Sequence, residues 1–562
     1  MFSRRVLSIL MCVLVFLSLS SYGLANDKTE KEEIIRLFDA DGDKLTENLF
    51  SVMEEVSADE LIPVIVVYKE NQFKAANNEV STLMKENKVK HAFKNIPAVA
   101  LSLSKEKIEE LKKSDMVEHI EYDEEVKICL DDANYWFGTE KARNDFGIDG
   151  NKDGSSSYSK NDVVVAVIDT GIDASHVDLD GGKVIGWKDF VNNQTTPYDD
   201  NSHGTHCAGI VAGEGQGNAN YKGVAPGAAL VGVKVLDSNG SGSMSDVTAG
   251  IDWCITNKNA YGIDVISMSL GTSGSSDGTD STSLAVNNAV NAGITVAVAA
   301  GNSGPKKYTI GSPGAATGAI TVANMIDVGE KGFALIYHSS RGPTADDRIK
   351  PDIAAPGTNI SAPYANSTND YISYTGTSMA TPFTAGTIAL MLDADSSLTP
   401  AQIRNIITST AIDWGKSGQD TEYGHGRLDA YAAIKQAGGF TGSNIAVPDH
   451  MHKAETLADS REDIWEFDVD DTNYPIAITL IIPDWTSFWW WGTPDFDIKL
   501  IAPNGSEVAS QNNSTRQRTI TYYPVSGGTG TYKIKIESKD GSGDYFFDLS
   551  CNGGNLTLTQ DQ

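Results

Sequence analysis

The sequence predicts an α/β protein built on a doubly wound, mostly parallel sheet, with an α+β unit before it and an all-β domain after it. Three observations predict this. Between residues 163 and 302, short apolar runs alternate with helical stretches, the rhythm of a parallel sheet covered on both faces. Residues 61–128 follow a strand–helix–strand–strand–helix–strand order. Residues 446–562 change to alternating runs separated by turn residues, which reads as a β-sandwich or jelly roll.

The 562 residues suit several domains. Against 44 Lys and Arg stand 75 Asp and Glu, a net charge of −31, and so acidic a chain argues against a nucleic-acid partner. The acidity fits calcium sites or a salty habitat, and a solvated surface explains it equally well. Residues 1–25 read as a secretory signal peptide: Arg4 and Arg5, an apolar core over 6–19, then Gly23-Leu24-Ala25. A membrane anchor is the rival, but the core is short and no stop-transfer segment follows. No other stretch suits a membrane span, so a secreted, extracellular protein is expected. With Cys12 removed in the leader, Cys129, Cys207, Cys254 and Cys551 remain, too few for a disulfide scaffold and without zinc spacing. Cys207 reads as a buried free thiol.

Residues 26–60 are charged. Asp39 to Asp43 has the start of a calcium-loop pattern but lacks its glycine and its later glutamate, so an acidic surface turn is expected. Strands at 63–68, 88–93, 98–104 and 117–122, with helices at 71–87 and 105–113, give the ferredoxin-like pattern.

In the central part four segments carry chemistry. The apolar run 163–168 stops at Asp169, which places a carboxylate at the carboxyl end of a buried strand. His203 opens a helix of small residues. A second buried strand, from Thr295, ends at Asn302. Ser378, in Gly376-Thr377-Ser378-Met379-Ala380-Thr381-Pro382, sits where a loop turns into an apolar helix. A serine there lies among free backbone N–H groups and the positive end of the dipole. Taken alone it is an N-cap. A weak nucleophile needs a base, the base an orienting carboxylate, and a developing O⁻ needs donors; this chain holds all four.

Val-Ile-Asp-Thr-Gly at 167–171, His-Gly-Thr-His at 203–206 and Gly-Thr-Ser-Met-Ala-Thr-Pro at 376–382 closely resemble the subtilisin-like serine proteases, in that family's order Asp, His, Ser. The resemblance covers about 135–437, and the segments 350–357 and 423–430 are typical of it. It implies Ser378 as nucleophile, His203 as general base, Asp169 as its orienting carboxylate, and Asn302 with the Ser378 N–H as oxyanion donors. It implies that Gly240-Ser241-Gly242 and Ser269-Leu270-Gly271 clamp the substrate as an added strand. Ser269–Gly271 and Ala299-Ala300-Gly301 would then wall a pocket without charge, favouring large or medium apolar P1 side chains. Phe383 departs from the usual histidine and is expected to alter packing, not chemistry.

The upstream unit resembles the family's propeptide, an inhibitor and chaperone cut off by Ser378 between Lys127 and Tyr135. The expected division is signal peptide 1–25, propeptide 26–130, peptidase domain 131–437, linker 438–445 and β domain 446–562. Calcium is the one cofactor considered. Asp149-Gly150-Asn151-Lys152-Asp153-Gly154 matches the front of a calcium loop, but Lys160 stands at its twelfth position, and an Asx-rich turn is the equal reading. Asp178 matches a family position that often binds calcium. The segment 495–505 resembles the β domain found after secreted prokaryotic peptidases. Trp485, Phe488, Trp489, Trp490 and Trp491 read as an exposed aromatic loop, since three adjacent tryptophans cannot all face inward from one strand.

The expectation is a secreted, monomeric serine endopeptidase made as a self-cleaving zymogen, acting on protein and peptide substrates. The rivals are a non-catalytic exported binding protein using the peptidase fold as scaffold, and a processing protease with a narrow pocket. The complete set of Asp169, His203, Asn302 and Ser378 argues against the scaffold.

Overall fold

The computed structural model describes residues 44, 45, 49, 53, 61–69, 89–93, 96–123, 134–326, 333–441, 448–472, 474–485, 493–512, 514–524, 528–552 and 557–560. The signal-peptide stretch, the turn at 39–43, the helix expected over 71–87, Cys129 and Phe488 to Trp491 lie outside them.

The N-terminal unit holds β1 (Ile62–Tyr68), β2 (Val89–Ala92), β3 (Ala98–Leu103), α1 (Lys105–Leu111) and β4 (Val117–Tyr122). Its antiparallel sheet has the order β2-β3-β1-β4, the strand order of the ferredoxin-like pattern. Strand β1 lies at its centre and is apolar nearly throughout, as a strand covered on both faces must be.

The central domain begins with α2 (Thr139–Phe146), β5 (Val164–Asp169), β6 (Val184–Asp189), α3 (His203–Ala212), β7 (Ala229–Lys234), α4 (Met244–Tyr261), β8 (Ile263–Met268), α5 (Ser281–Asn291) and β9 (Thr295–Ala299). It continues through β10 (Ile320–Ile326), β11 (Ala334–Leu335), β12 (Ile353–Pro356), β13 (Ile360–Pro363), β14 (Tyr371–Tyr374), α6 (Thr377–Ala394), α7 (Pro400–Thr410) and α8 (Ala430–Ala437). The main sheet runs β11-β10-β9-β8-β5-β7-β6, with β12 on β10, and only the β10–β11 pair is antiparallel. Strand β7 begins two residues earlier than the run 231–236 suggests. The order reverses around β5, between β7 and β8, which is the switch point where such sheets bind ligands. Helix α6 is apolar on all sides and is buried from Thr377 to Leu392, so it lies inside the domain and not on its surface. Among the described residues no helix is long and apolar enough to cross a membrane.

The C-terminal strands are β15 (Asp449–Leu457), β16 (Glu462–Val469), β17 (Ile476–Ile481), β18 (Asp495–Ile501), β19 (Glu507–Gln511), β20 (Gln517–Tyr522), β21 (Gly530–Asp540), β22 (Gly543–Cys551) and β23 (Thr557–Gln560). They form two antiparallel sheets, β15-β22-β17-β20 and β19-β18-β21-β16-β23. The first packs onto the central domain: Ala477, Ile481 and Phe546 join one apolar cluster with Phe333 and Trp414. Polar bonds seal the seam, from Thr479 Oγ1 to the Phe333 carbonyl at 2.6 Å and from the Gly415 N–H to Asp548 Oδ2 at 2.9 Å.

Candidate active site

Asp169 ends β5, and His203 begins α3. The His203 Nδ1 lies 2.6 Å from Asp169 Oδ1. A carboxylate only accepts, so Nδ1 carries the hydrogen and the Nε2 lone pair is free to take a proton. The close approach of the two elements requires glycine at two points. A Cβ on Gly204 would meet the Gly171 carbonyl at 2.1 Å, and one on Gly171, at φ +125, would meet the Tyr198 carbonyl at 2.1 Å.

Two charged groups that the motifs do not contain hold this corner. Asp199 Oδ1 accepts from Thr170 Oγ1 at 3.0 Å, while its Oδ2 accepts from Thr205 N at 2.9 Å and Thr205 Oγ1 at 2.7 Å. Buried Lys234, at the end of β7, donates to the Thr170 carbonyl at 2.5 Å and to Asp200 Oδ1 at 2.6 Å. The signal for Lys234 was a lone lysine inside the apolar run Val231 to Leu236.

Ser378 is the second residue of α6, and Pro382 follows four residues later. Proline has no N–H, so the Ser378 carbonyl loses its partner in the helix ladder. Ser269 Oγ donates to that carbonyl at 2.5 Å, and the Cys207 thiol lies 3.6 Å from it. The Ser378 hydroxyl donates to the Ser269 carbonyl at 3.1 Å. Unliganded catalytic sites often hold the serine–histidine bond loosely. Asn302, just past β9, is anchored through its oxygen: Oδ1 accepts from Thr377 N at 3.0 Å and from Thr377 Oγ1 at 3.3 Å. Its Nδ2 is therefore the group left to donate beside Ser378. Gly301 N donates to Thr377 Oγ1 at 3.2 Å, which ties the same loop down twice.

Cys207 lies one helical turn from His203, with its Sγ 3.8 Å from each ring nitrogen. Burial, and next the Asp169 carboxylate, push the thiol's pKa far up, so it stays protonated and packs under the imidazole. Cys207, Cys254 and Cys551 are all free and buried. His206 donates from Nε2 to the Ile372 carbonyl at 2.9 Å, and burial holds its pKa well below the ordinary range. It is a structural histidine. Phe383 packs edge-on against Phe137 with ring centroids 5.8 Å apart.

The residues expected to bind substrate lie at neighbouring strand ends: 240–242 beyond β7, 269–271 beyond β8 and 299–301 beyond β9. Asp237 Oδ1 shapes the first segment, accepting from Asn239 N at 2.8 Å and Ser241 N at 3.1 Å. Behind Gly271 lies the Ser312 carbonyl, which accepts from Thr272 N at 2.8 Å. Ser312 Oγ in turn donates to buried Asp280 at 2.5 Å. Ser276 Oγ, Ser283 N and Ser283 Oγ also donate to Asp280.

The residues considered for calcium are engaged with protein donors. Asp178 Oδ1 accepts from Gly217 N at 3.1 Å and its Oδ2 from the Tyr371 hydroxyl at 3.0 Å. In the 149–154 loop, Asp149 Oδ1, Asn151 Oδ1 and Asp153 Oδ1 accept from Asn151 N, Gly154 N and Ser155 N. Among the described residues neither set gathers three acidic or histidine ligand atoms. The buried Lys183 ammonium sits close by, donating to the Pro226 carbonyl at 2.7 Å and lying 3.8 Å above the Tyr158 ring.

The N-terminal unit grips the helices beside this site. Glu121 accepts from Ser281 N, at the start of α5, at 2.8 Å to each carboxylate oxygen. Asp123 accepts from Ser245 N at 2.5 Å, at the start of α4, and Lys90 lies 2.6 Å from Asp246. Carboxylates there complement unpaired N–H groups and the helix dipole. His119 Nε2 stands 3.5 Å from Glu121. Burial lowers the His119 pKa, but the hydrogen bond and charge of Glu121 more than reverse this and leave it raised. Burial raises the Glu121 pKa to about 7. Both pKa values are higher in the folded protein than in an unfolded chain. Their contribution is therefore complete at low pH and lost as pH rises through about 7 and the raised His119 value. Hydrogen exchange of amides 98–122 in uncut Ser378→Ala protein, corrected for intrinsic rates, is expected to quicken between pH 6 and 8.5, and to do so less in Ser378→Ala/Glu121→Gln. Equal quickening in both would rule out Glu121 as the titrating group.

Residues 160–426 match the Subtilase family, and residues 40–107 match the Tk-SP N-propeptide domain. Serine protease AprX of Bacillus subtilis is 42% identical over 294 residues, covering 48% of this chain and 66% of the relative. A thermostable alkaline protease of Halalkalibacterium halodurans is 36% identical over 389 residues, 69% of this chain and 96% of the relative. Subtilisin E of Bacillus subtilis is 37% identical over 354 residues, 62% and 84% of the two chains.

Proposed function

Because this chain belongs to the subtilase family and carries an N-propeptide domain, we propose that its serine endopeptidase activity runs on Ser378, His203 and Asp169, with Asn302 as oxyanion donor. The observation that carries the reading is the 2.6 Å bond from His203 to Asp169, next to a serine at the start of a buried helix and an asparagine tethered to that serine's neighbour. Ser378 Oγ bonds to the scissile carbonyl carbon while its proton passes to His203 Nε2. Asn302 Nδ2 and the Ser378 N–H hold the resulting O⁻. The proton goes to the leaving amine as the C–N bond breaks, and water then cleaves the acyl-enzyme by the reverse transfer.

The same proposal divides the chain into leader 1–25, propeptide 26–130, peptidase domain 131–437, linker 438–445 and β domain 446–562, with secretion through the leader and a monomeric mature enzyme. Release of residues 446–562 as a folded fragment by mild proteolysis would support that last boundary, and cleavage only within 446–562 would count against it.

An extended substrate would lie as a strand between 240–242 and 269–271, its P1 side chain between 269–271 and 299–301. Those walls are uncharged, which supports an apolar P1. The test is a series of tetrapeptide anilides differing only at P1. Phenylalanine and leucine are expected to exceed lysine and glutamate in kcat/KM by at least about tenfold, since an unpaired charge enters an apolar pocket at a cost above about 1.4 kcal/mol. Equal rates would refute the pocket assignment.

Calcium enters as a structural ion. The resemblance to the subtilisins implies it, and the second oxygen of Asp149 favours the 149–154 loop over Asp178, whose two oxygens are both engaged. Adding millimolar calcium to chelator-treated protein is expected to raise Tm. An unchanged Tm in Asp149→Ala and wild type alike would exclude this loop.

A further inference from the structure

We propose that the groove between the peptidase domain and the C-terminal β domain is a second substrate-binding region, which holds an extended stretch of an unfolded polypeptide beyond the residues at the cleavage site. The proposal rests on the assignment of Ser378 as nucleophile.

The groove encloses about 1310 Å³ and is lined from both domains, by Pro305, Tyr337 and Arg341 on one side and Trp485, Arg516 and Phe546 on the other. That volume exceeds a small-molecule pocket and suits a run of several residues. Main-chain bonds tie one of its walls to the cleavage site. Gly301, a wall of the P1 pocket, accepts from Ser340 N at 2.8 Å, and Gly304, two residues past Asn302, donates to the His338 carbonyl at 3.0 Å. Ser303 N donates to Ser340 Oγ at 3.1 Å. The loop carrying Tyr337 and Arg341 is thus bonded directly to the loop carrying the oxyanion asparagine.

The chemistry of the walls selects the occupant. Arg341 Nη1 and Arg516 Nη1 both pair with Glu422, at 3.3 and 2.9 Å, so these cations already have their anion. Beside them the lining carries Lys307, Lys416, Glu455 and Asp484, charges of both signs, together with aromatic side chains. Tyr337 is 71% exposed, and Trp485 stands partly buried on the opposite wall. Aromatic side chains among charges of both signs suit the mixed side chains of an unfolded chain better than a ligand of one charge. The walls are also preformed, since Gln517 bridges the domains, accepting from the Tyr423 hydroxyl and donating to the Leu335 carbonyl, both at 3.0 Å. Little ordering is then left to be done on binding.

The test compares mature enzyme on β-casein, an unfolded protein, and on a tetrapeptide anilide too short to reach the groove. Tyr337→Ala and Trp485→Ala are each expected to lower kcat/KM on β-casein by three- to tenfold and to leave the tetrapeptide within twofold of wild type, with Tyr337→Phe and Trp485→Phe restoring most of the loss. So exposed a side chain as Tyr337 can be removed without unfolding the domain, and that variant keeps the test decisive if Trp485→Ala proves unstable. No change on β-casein in Tyr337→Ala, or an equal fall on both substrates, would overturn the groove. Activity on the tetrapeptide persisting in mature Ser378→Ala would instead overturn the assignment of the nucleophile.

Discussion

Full-length Ser378→Ala protein, made without residues 1–25, is expected to remain one intact chain, while wild type loses its N-terminal segment at a bond between Lys127 and Tyr135. The mature Ser378→Ala enzyme, trimmed in trans, is expected to fall about 10⁶-fold in kcat, a magnitude that belongs to subtilisin itself and is carried over to this relative. The physical reason is local. Without Oγ, His203 has no hydroxyl to deprotonate and no acyl-enzyme forms, while Asn302 and the residue 378 N–H persist and leave the weak catalysis an oxyanion hole gives a water attack. Intact mass and N-terminal sequencing of the two proteins decide the point. Identical trimming in both would mean that another protease makes the cut and that Ser378 is not needed for maturation.

The second large effect is expected at Asp169. Asp169→Ala should lower kcat on a tetrapeptide by about 10⁴-fold with KM little changed, again a size taken from enzymes with this triad. Here the geometry adds an ordering. Asp169 Oδ1 alone holds both His203 Nδ1 at 2.6 Å and Thr170 N at 2.7 Å. An asparagine whose oxygen keeps that position still accepts from Nδ1–H, so it preserves the tautomer and loses only the charge that stabilises the imidazolium. Asp169→Asn should therefore fall between wild type and Asp169→Ala. Activity of Asp169→Ala within tenfold of wild type would sink the role of Asp169, and Asn equal to Ala would sink the ordering.

Much of this was legible in the sequence because burial leaves a strong mark. The apolar run before Asp169 could be nothing but a covered strand, and small residues around His203 and Ser378 announced close packing. Strand β15 escaped because Asp449 to Leu457 has no alternation: it is largely polar and is held by pairing along β22. Asp199 and Lys234 escaped for the opposite reason. A charged residue contributes to a site through partners far away in sequence, and nothing near Lys234 names Thr170 as its acceptor. The 149–154 loop shows the limit of spacing as a guide, since alternate oxygens are what an Asx turn and a cation loop both require. The aromatic groove had no signal either. Tyr337 and Trp485 line one groove only because two domains dock.

The proline four residues after Ser378 fixes where the serine takes its reference. In an ordinary helix each carbonyl is located by the next turn, and small errors of winding accumulate along the axis. Here the carbonyl of the nucleophile is located sideways, by Ser269 at the end of β8, while Asp169 ends β5 and Asn302 follows β9. The reacting groups are all measured from adjacent strand ends of one sheet. In the language of tolerances they share a datum, so breathing of the long helix towards Ala394 need not displace Ser378 from its partners. Reactive geometry is demanding to about half an ångström, and a common datum is how a chain can meet that demand with parts drawn from positions far apart in its sequence.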